Sequence, residues 1–465
     1  MVSAFVVLAA AILGREAVEL SDFDQRFYTT IAYDIDRYGV FSNGTLDDVD
    51  SVVSAPPSGM FFGPVYPVLV LLGMKIDDRF ATAVSCSVES IHNHRDASLC
   101  EPYATPMRIL HAMLLALGVV MIALSAKLVL PGRLAFWLAG ALALGSLALE
   151  SEIFSYVMTE SVTFSIYSVF AYTSLLAWKT CRAWHFALAG GSLGFLCLTR
   201  PSFVVLVPII SVMMVVRSRW LDGSRLRFVV TAVGAFGLAY CVVAGTWAMR
   251  NFVSAGKFAL TEEYGAVTLI ERFAYNDMTL REFVQAFPYC TPGVGDLAFD
   301  LIYGTDSMHR FVYHTPGSFF HVGRAHREEL IARHKRLDPI IGEIVLNEAA
   351  AHGWRHVLVS IPLAWCGMWV GWLAGLVLVP LFVWGCAQAF REGRFLPLFY
   401  AAPAIWMLGL HAGVANHTTR YNLILIGPFV LGAAMVISEW FEGPRVERCG
   451  APSRSNRGGH PISSP

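Results

Sequence analysis

Charged residues are scarce in this chain. They make up 15% of its 465 residues, hydrophobic residues make up 55%, and the mean hydropathy is +0.55. This composition is too apolar for a soluble protein of this size and indicates an all-α membrane protein with many spans. The net charge of −1 provides no overall field that would attract nucleic acid, so we expect no nucleic-acid partner.

Lysine is rare as well. Only five of the 34 basic residues are lysines, and the rest are arginines. This bias is typical of a GC-rich genome and favours a bacterial plasma (inner) membrane as the location of the protein. Two sequons, Asn43-Gly44-Thr45 and Asn416-His417-Thr418, keep the endoplasmic reticulum open as an alternative.

Apolar stretches predict about ten transmembrane helices. The stretches are 2–13, 107–130, 134–149, 156–178, 186–199, 202–216, 228–247, 361–389, 396–414 and 422–440. The two on either side of Arg200-Pro201 are short, so we expect two helices that meet at a break near one surface. No Lys or Arg precedes Arg15, which favours a signal anchor, or a start site placed too late, over a cleaved signal peptide.

The distribution of Lys and Arg predicts the orientation of these helices. Basic residues concentrate in alternate short connections, which places those connections in the cytoplasm. Two long segments, 14–106 and 248–356, then lie outside. We interpret the chain as a membrane core over 1–247 that carries the first outer loop, followed by the outer region. C-terminal membrane helices over 357–442 and a disordered cytoplasmic tail over 443–465 complete it.

The two outer segments differ in what they reveal. The region 248–356 is too long for a bare connection, and helical patterning occurs near 318–336 and 340–360. In the first segment, His92 and His94 look like metal ligands, but nothing nearby completes a coordination shell. We therefore assign no metal site.

Cysteines separate into two groups. Cys86 and Cys100 share the first outer segment, where an oxidising compartment would permit a disulfide, and the pairing is left open. Six others are interpreted as membrane-embedded or cytoplasmic: Cys181, Cys197, Cys241, Cys366, Cys386 and Cys449.

Asp24 is the most informative residue. It follows the first apolar stretch, in a segment over 22–38 whose apolar residues recur at helical spacing. Such a helix places Asp24 and Tyr28 on one face and keeps Asp24 in the first turn, where the helix dipole favours an anion. A hydrated carboxylate at a membrane surface suits a catalytic base. The alternative is that Asp22 or Asp24 simply caps the helix.

Further charged residues lie at the outer ends of predicted spans. Glu160 begins a span, where an unpaired carboxylate is costly, so we expect a partner for it. The alternative is a helix N-terminal acid satisfied by Thr159 and free backbone N–H groups. Arg200, Arg250 and Arg420 run against the positive-inside trend, although each alone is compatible with snorkelling to the headgroups. Together with the two acids they indicate a phosphate-binding site that also holds a base.

Six short motifs occur in order along most of the chain. They are Asp24 with Tyr28, Gly63-Pro64-Val65-Tyr66-Pro67, Thr159-Glu160, Leu198-Thr199-Arg200-Pro201, Trp247-Ala248-Met249-Arg250-Asn251, and Arg420-Tyr421. In order and in topological side they resemble the GT-C glycosyltransferases of the protein O-mannosyltransferase and aminoarabinose-transferase type, which use polyprenyl-phosphate sugars. The chain departs from that pattern in three places. Gln25 replaces the usual Glu, Thr246 replaces the usual Pro, and Phe61-Phe62 stands where some members carry a basic residue.

The resemblance implies a GT-C-like fold and an inverting sugar transfer from a polyprenyl-phosphate donor to a hydroxyl acceptor on the outer face of the membrane. Asp24 would be the general base, and Glu160 would orient the acceptor or an arginine. The donor phosphate would be bound by Arg250, Arg420 and Arg200. The neighbours of the substrate would be Tyr28, Tyr66, Asn251 and Tyr421. Expected partners are the donor, an acceptor that is a protein, lipid or glycan, and membrane lipids; a divalent cation is left open.

Two other interpretations compete with this one. A lipid or solute transporter, or a flippase, would also have about ten spans, but its charges lie near mid-membrane on broken helices, often with internal repeats. Here the acids and arginines cluster at one predicted surface, and no clear repeat is present. The remaining interpretation is a non-catalytic subunit of a glycan-assembly complex.

Overall fold

The computed structural model describes residues 1–44, 55–130, 132–218, 225–295, 299–304, 308–313, 315–415 and 419–442. Within these ranges the chain is all-helical and contains no β-strand. Thr45 of the first sequon, all of the second sequon and the predicted disordered tail over 443–465 lie outside the described residues.

Ten α-helices form the described part of the chain before residue 256. They are α1 (Val2–Leu13), α2 (Gln25–Tyr38), α3 (Val65–Ile76), α4 (Asp78–His92), α5 (Thr105–Val129), α6 (Arg133–Leu149), α7 (Glu160–Thr180), α8 (Ala183–Thr199), α9 (Leu206–Ser218) and α10 (Arg225–Ala255). Short 3-10 helices cover Ala97–Leu99, Ile153–Ser155 and Pro201–Val205. α2, α3 and α4 pack on one another around buried Tyr28, Tyr66 and Phe80.

Eight further α-helices follow. They are α11 (Tyr264–Phe273), α12 (Leu280–Cys290), α13 (Asp300–Tyr303), α14 (Phe319–His334), α15 (Ile341–Met368), α16 (Gly375–Arg391), α17 (Phe395–Val414) and α18 (Ile426–Glu442). Short 3-10 helices cover Ala274–Asp277, Trp372–Ala374 and Thr419–Leu425. α14 and α15 lie where the sequence predicts helical patterning.

Eleven of the described helices are apolar and are candidates for membrane segments. Six are long enough to cross one by length and composition: Thr105–Val129, Glu160–Thr180, Leu226–Ala255, Trp372–Arg391, Phe395–Val414 and Thr419–Glu442. Five shorter ones are Val2–Leu13, Val65–Ile76, Arg133–Leu149, Ala183–Thr199 and Pro201–Arg217. Each of the ten predicted stretches overlaps one of these helices, which supports a multi-pass membrane protein.

The predicted span 361–389 is not one helix, and this interpretation is wrong. α15 ends at Met368 and α16 begins at Gly375. Between them Gly371 has a left-handed φ of 80°, and its N–H donates to the Glu150 carboxylate over 2.8 Å. This bond fixes the break against the end of α6. Hydropathy does not reveal such a turn, because the residues on both sides are apolar.

α18 is the central helix of the largest buried cluster. Its residues from Ile426 to Val436 are almost wholly buried, and it packs against α5, α6, α16 and α17. A helix that is apolar all round belongs in the interior of a bundle. The 3-10 helix that carries Arg420 leads directly into α18, so this arginine is attached to the most firmly packed part of the fold.

The described residues contain two disulfides. Cys86 in α4 pairs with Cys100, at a Cα–Cα distance of 5.8 Å. Cys290 in α12 pairs with Cys366 in α15, at a Cα–Cα distance of 4.9 Å. Sequence analysis did not predict this pair, because the two cysteines lie 76 residues apart in the chain.

Arg272 attaches the region after α10 to the membrane helices. Its guanidinium is fully buried, with Nε donating to the Ala412 carbonyl over 2.8 Å and Nη2 donating to Ser360 Oγ over 3.0 Å. Nη1 donates to Asn276 Oδ1 over 3.2 Å. A buried cation is costly unless it is fully hydrogen-bonded, so these bonds fix α11 to α15 and α17.

Candidate functional site

A cavity of about 1130 Å³ lies where distant segments of the chain meet. Its lining comes from the start of α2, the loop over 60–63, the turn at Arg200, the α11 and α14 helices, and the Arg420-Tyr421 pair. Pockets for small ligands usually occupy roughly 300–1,000 Å³. This cavity therefore has room for a ligand with several parts.

Asp24 lies at this cavity, immediately before α2. The predicted helix start at residue 22 differs from the observed start at Gln25, because Phe23 adopts a left-handed φ of 51°. The Asp24 side chain makes no capping hydrogen bond to α2. Instead its Oδ2 accepts a hydrogen bond from Arg420 Nη2 over 2.8 Å, and 43% of the side chain is exposed. The capping alternative for Asp24 is not what the geometry shows.

Glu160 connects two of the predicted arginines. Its Oε1 accepts from Arg200 Nη2 over 2.6 Å and lies 4.0 Å from Arg420 Nε, while its side chain is only 2% exposed. Arg200 Nε also donates to Thr159 Oγ1 over 2.9 Å. Glu160 therefore has the partner that the sequence predicts, and that partner is Arg200. Its second oxygen, Oε2, is buried and has no hydrogen-bond partner within the described part of the chain.

The four residues form one electrostatic network. Asp24 bonds Arg420, Arg420 approaches Glu160, and Glu160 bonds Arg200. Each of them lies at or beside a helix end. Asp24 precedes α2, and Arg420 lies in the 3-10 helix before α18. Glu160 is the first residue of α7, and Arg200 follows α8. Two carboxylates and two guanidiniums balance in charge, so the arginines remain organised before any ligand arrives.

Gln25 holds the Glu160 loop beside Asp24. Its side chain is 1% exposed; Oε1 accepts from the Val157 N–H over 2.7 Å, and Nε2 donates to the Glu19 carbonyl over 3.0 Å. The amide thus ties together the segment before Asp24 and the segment before Glu160. Sequence reasoning treated Gln25 only as a departure from the family pattern.

The Gly63 motif supports the Arg200 turn. A Cβ on Gly63 would overlap the Leu198 carbonyl, so only glycine permits this loop to approach the end of α8. This approach brings Phe62 and Gly63 into the cavity lining next to Arg200. This close approach explains the glycine of the motif.

Tyr28 and Tyr66 have different places. Tyr28 lines the cavity, packs edge-on against Tyr66 at 5.0 Å between ring centroids, and burial raises the pKa of its hydroxyl well above the usual value. Tyr66 is fully buried and does not line the cavity. Its hydroxyl donates to His111 Nε2 over 2.9 Å, while His111 Nδ1 donates to the Phe154 carbonyl. Tyr66 therefore packs behind Tyr28, and its role as a substrate neighbour stays a prediction.

Arg250 and Asn251 do not join the network. Arg250 Nη1 donates to the Gly59 carbonyl over 2.7 Å, Nη2 donates to Ser58 Oγ over 2.9 Å, and the guanidinium lies over the Trp247 ring. Asn251 is fully buried and bonds the carbonyls that follow α10. Neither residue lines the cavity. The described donors of both residues hold neighbouring segments of the chain together, and the roles of Arg250 as a phosphate ligand and of Asn251 as a substrate neighbour stay predictions.

Sequence reasoning missed much of the cavity. The region after α10 contributes Tyr264, Glu271, Tyr313, Arg324, Arg327, Lys335 and Arg336. No short motif distinguishes these residues. The criterion used for Arg200 could have identified the arginines among them. Arginines in a predicted outer segment run against the positive-inside trend.

Three carboxylates come close together at one edge of the cavity, those of Glu262, Glu263 and Asp338. The Glu263 carboxylate accepts from the N–H groups of Leu337 and Asp338, and Asp338 Oδ2 accepts from the Glu263 N–H. Glu262 pairs with Arg336. These hydrogen bonds join the two loops in both directions, and we assign no metal to the group.

Comparison with known proteins gives weak structural similarity. No protein-family model matches the chain, and no curated protein matches it. Among solved structures, the chain is similar to the oligosaccharyltransferase AglB of Archaeoglobus fulgidus in complex with an inhibitory peptide and a dolichol-phosphate. Identity is 12%, coverage is 95% of this chain and 50% of that one, and the TM-score is 0.47. This chain thus spans about half the length of AglB.

Two other solved structures are similar. One is ArnT from Cupriavidus metallidurans bound to undecaprenyl phosphate, at 14% identity, with 93% and 76% of the two chains covered and a TM-score of 0.39. The other is arabinosyltransferase EmbB from Mycobacterium smegmatis, at 14% identity, with 96% and 41% covered and a TM-score of 0.31.

Proposed function

We propose that this protein is a membrane glycosyltransferase. It moves a sugar from a polyprenyl-phosphate donor to a hydroxyl group of an acceptor, at the outer face of the membrane and with inversion. The observation that carries the proposal is the Asp24–Arg420–Glu160–Arg200 network beside a large cavity. A partly exposed carboxylate and two organised guanidiniums are the groups that this reaction requires.

Asp24 acts as the general base. Its carboxylate takes the proton of the acceptor hydroxyl while that oxygen forms a bond to the anomeric carbon of the donor sugar. The bond between the anomeric carbon and the phosphate oxygen breaks on the opposite face, and its electron pair leaves with the polyprenyl phosphate. Arg420 bonds Oδ2 of Asp24, so the other oxygen is the one that receives the proton.

Arg420 and Arg200 stabilise the leaving phosphate. Charge grows on that phosphate as the sugar departs, and charge-assisted hydrogen bonds from arginine match its geometry. Glu160 holds both guanidiniums in place before the donor binds. A phosphate ester needs no protonation to leave, so the site requires no general acid.

The test is donor turnover by purified protein in detergent. Wild-type protein receives a panel of radiolabelled sugars on undecaprenyl phosphate and dolichyl phosphate, with a membrane extract as acceptor. Asp24→Asn should lower turnover by about 10²–10⁴-fold and leave binding of the carrier phosphate unchanged. Asp22→Asn is the matched control, because Asp22 is exposed and does not line the cavity.

Each outcome has a clear meaning. Full activity in Asp24→Asn would refute Asp24 as the base. Binding of the carrier without turnover of any donor by wild-type protein would favour the transporter or the non-catalytic subunit. Equal losses in Asp22→Asn and Asp24→Asn would show a general effect of charge near α2 rather than base catalysis.

A further inference from the structure

Basic side chains outnumber acidic ones around the cavity. The acidic side chains of the lining are Asp24, Glu262, Glu263 and Glu271. The basic ones are Arg26, Arg200, Arg324, Arg327, Lys335, Arg336 and Arg420. Such a surplus favours an anionic ligand, because like charges in a concave site repel one another when it is empty.

Ion pairs account for four of the seven basic residues. The pairs are Arg420–Asp24, Arg200–Glu160, Arg327–Glu271 and Arg336–Glu262. Three remain, Arg26, Arg324 and Lys335, which we call the basic wall. Among the described residues Arg26 and Lys335 have no carboxylate partner, and Arg324 meets only Glu328 of its own helix at 3.0 Å. Both members of that pair are about half exposed, at 47% and 58%, so it contributes little.

Arg26 and Arg324 repel each other from different elements. Arg26 belongs to α2 and Arg324 to α14, and both line the cavity. Burial first, and then the charge of Arg324, lower the pKa of the Arg26 guanidinium from its usual value, and the charge of Asp24 opposes this shift only in part. An arrangement that brings two cations together is unfavourable unless an anion lies between them.

Close packing holds the basic wall in place. α14 approaches α11 at Gly323, where a Cβ would overlap the backbone of Glu271. Beyond the end of α14, the Glu263 carboxylate accepts from the N–H groups of Leu337 and Asp338 over 2.6 and 3.1 Å. The loop that follows Lys335 is therefore fixed to α11 rather than free.

The backbone of Lys335 is strained. It follows the last residue of α14 with a left-handed φ of 62°, a conformation in which a side chain is strained and glycine is usual. The side chain nevertheless lines the cavity. Strain of this kind is typical of binding sites, where the surrounding structure maintains it.

We propose that the basic wall binds an anionic group, a phosphate or a carboxylate, on the acceptor substrate. This inference rests on the proposed glycosyltransferase function and names a class of acceptor. In an inverting displacement the acceptor hydroxyl and the leaving phosphate stand on opposite faces of the sugar. A donor with one phosphate at Arg200 and Arg420 cannot also neutralise the wall, so the second anion belongs to the other substrate.

The experiment compares two reactions of the same purified, full-length protein. The first is hydrolysis of the donor by water, which needs no acceptor. The second is transfer to a membrane extract that anion exchange has separated into retained and unretained fractions. Wild-type protein should transfer to the retained fraction. The Arg324→Gln/Lys335→Gln double variant should raise the KM for that fraction roughly tenfold or more and leave donor hydrolysis unchanged.

The controls use residues of the same helix. Arg333→Gln removes one positive charge at a side chain that is 63% exposed and outside the cavity lining, so it should behave as wild type. Arg324→Lys keeps the positive charge and should therefore keep much of the affinity for the acceptor that the double variant loses. Added salt should raise the KM for the acceptor of wild type more than that of the double variant.

Three results would overturn the inference. Transfer by wild type to the unretained fraction would show a neutral acceptor. A matching loss of donor hydrolysis in the double variant would assign the wall to the donor, as expected for a carrier with more than one phosphate. If wild-type protein turned over no donor at all, the proposed function would fail, and this inference with it.

Discussion

Replacement of Gln25 by glutamate tests whether a buried amide positions the base. In wild type the side chain accepts from the Val157 N–H over 2.7 Å and donates to the Glu19 carbonyl over 3.0 Å. An ionised glutamate at this position retains the first bond but has no proton for the second. The Glu19 carbonyl then faces a buried negative charge in place of a donor.

The size of the effect follows from burial. Gln25 is 1% exposed, so water cannot replace the lost hydrogen bond. An unsatisfied buried partner costs about 1–3 kcal/mol, and a displacement of about 1 Å in a catalytic group can cost roughly 10²-fold in rate. We therefore expect turnover by Gln25→Glu to fall about ten- to a hundredfold at pH 8.

The loss should depend on pH. Burial raises the pKa of a carboxyl group placed at this position, and its neutral form regains a proton to donate. Because the proton favours the folded state of the variant, both its stability and its activity relative to wild type should be highest at low pH. Both should decline as pH rises through the raised pKa.

The assay is donor turnover by Gln25→Glu as a ratio to wild type between pH 5 and pH 8, with the apparent unfolding temperature in detergent at each pH. The ratio cancels the titration of groups that both proteins share. Gln25→Met is the control, because it lacks both hydrogen bonds at every pH and should show a constant deficit. A Gln25→Glu protein with wild-type turnover at pH 8, or with a ratio that does not change with pH, would refute the positioning role.

Three more predictions concern residues at and away from the cavity. Arg420→Gln should raise the KM for the donor at least about tenfold. Arg250→Gln should lower the unfolding temperature and leave that KM unchanged, because its partners Gly59 and Ser58 lie outside the cavity lining. Equal effects on KM would contradict the assignment. Arg272→Gln should destabilise the protein by about 2–5 kcal/mol, since it leaves buried carbonyls unpaired, and an unchanged unfolding temperature would count against this. Burial raises the pKa of Asp34 to about 6, so the stability that this group contributes is present at low pH and is lost as pH rises from about 4 to 6. The unfolding temperature of wild type relative to Asp34→Asn should therefore fall over that interval; parallel curves would contradict it.

Amino-acid sequence alone indicated an all-helical membrane protein and located most of its apolar helices, while the count of about ten spans stays a prediction. Apolar stretches of helical length have no stable place in water, so hydropathy identifies them without tertiary information. The exception is 361–389, which the structure divides at Gly371. A turn inside an apolar stretch leaves the composition unchanged and is therefore invisible to hydropathy.

Sequence also identified the members of the charged network. Asp24, Glu160, Arg200 and Arg420 all stand at ends of predicted spans, where an unpaired charge is unfavourable. This cost makes each residue conspicuous along the chain. It does not say which charges meet, and Arg250 satisfied the same criterion as Arg420.

Only the tertiary structure separated Arg250 from Arg420. Arg250 donates to Gly59 and Ser58, whereas Arg420 directs one donor to Asp24, which lies 396 positions away in the chain. Residues far apart in sequence likewise meet in the basic wall, in the Cys290–Cys366 disulfide, and in the hydrogen bond from the Leu337 N–H to Glu263. Periodicity and charge describe one segment at a time, but a side chain's role depends on which groups satisfy its hydrogen bonds and charge, and folding supplies those groups from distant segments.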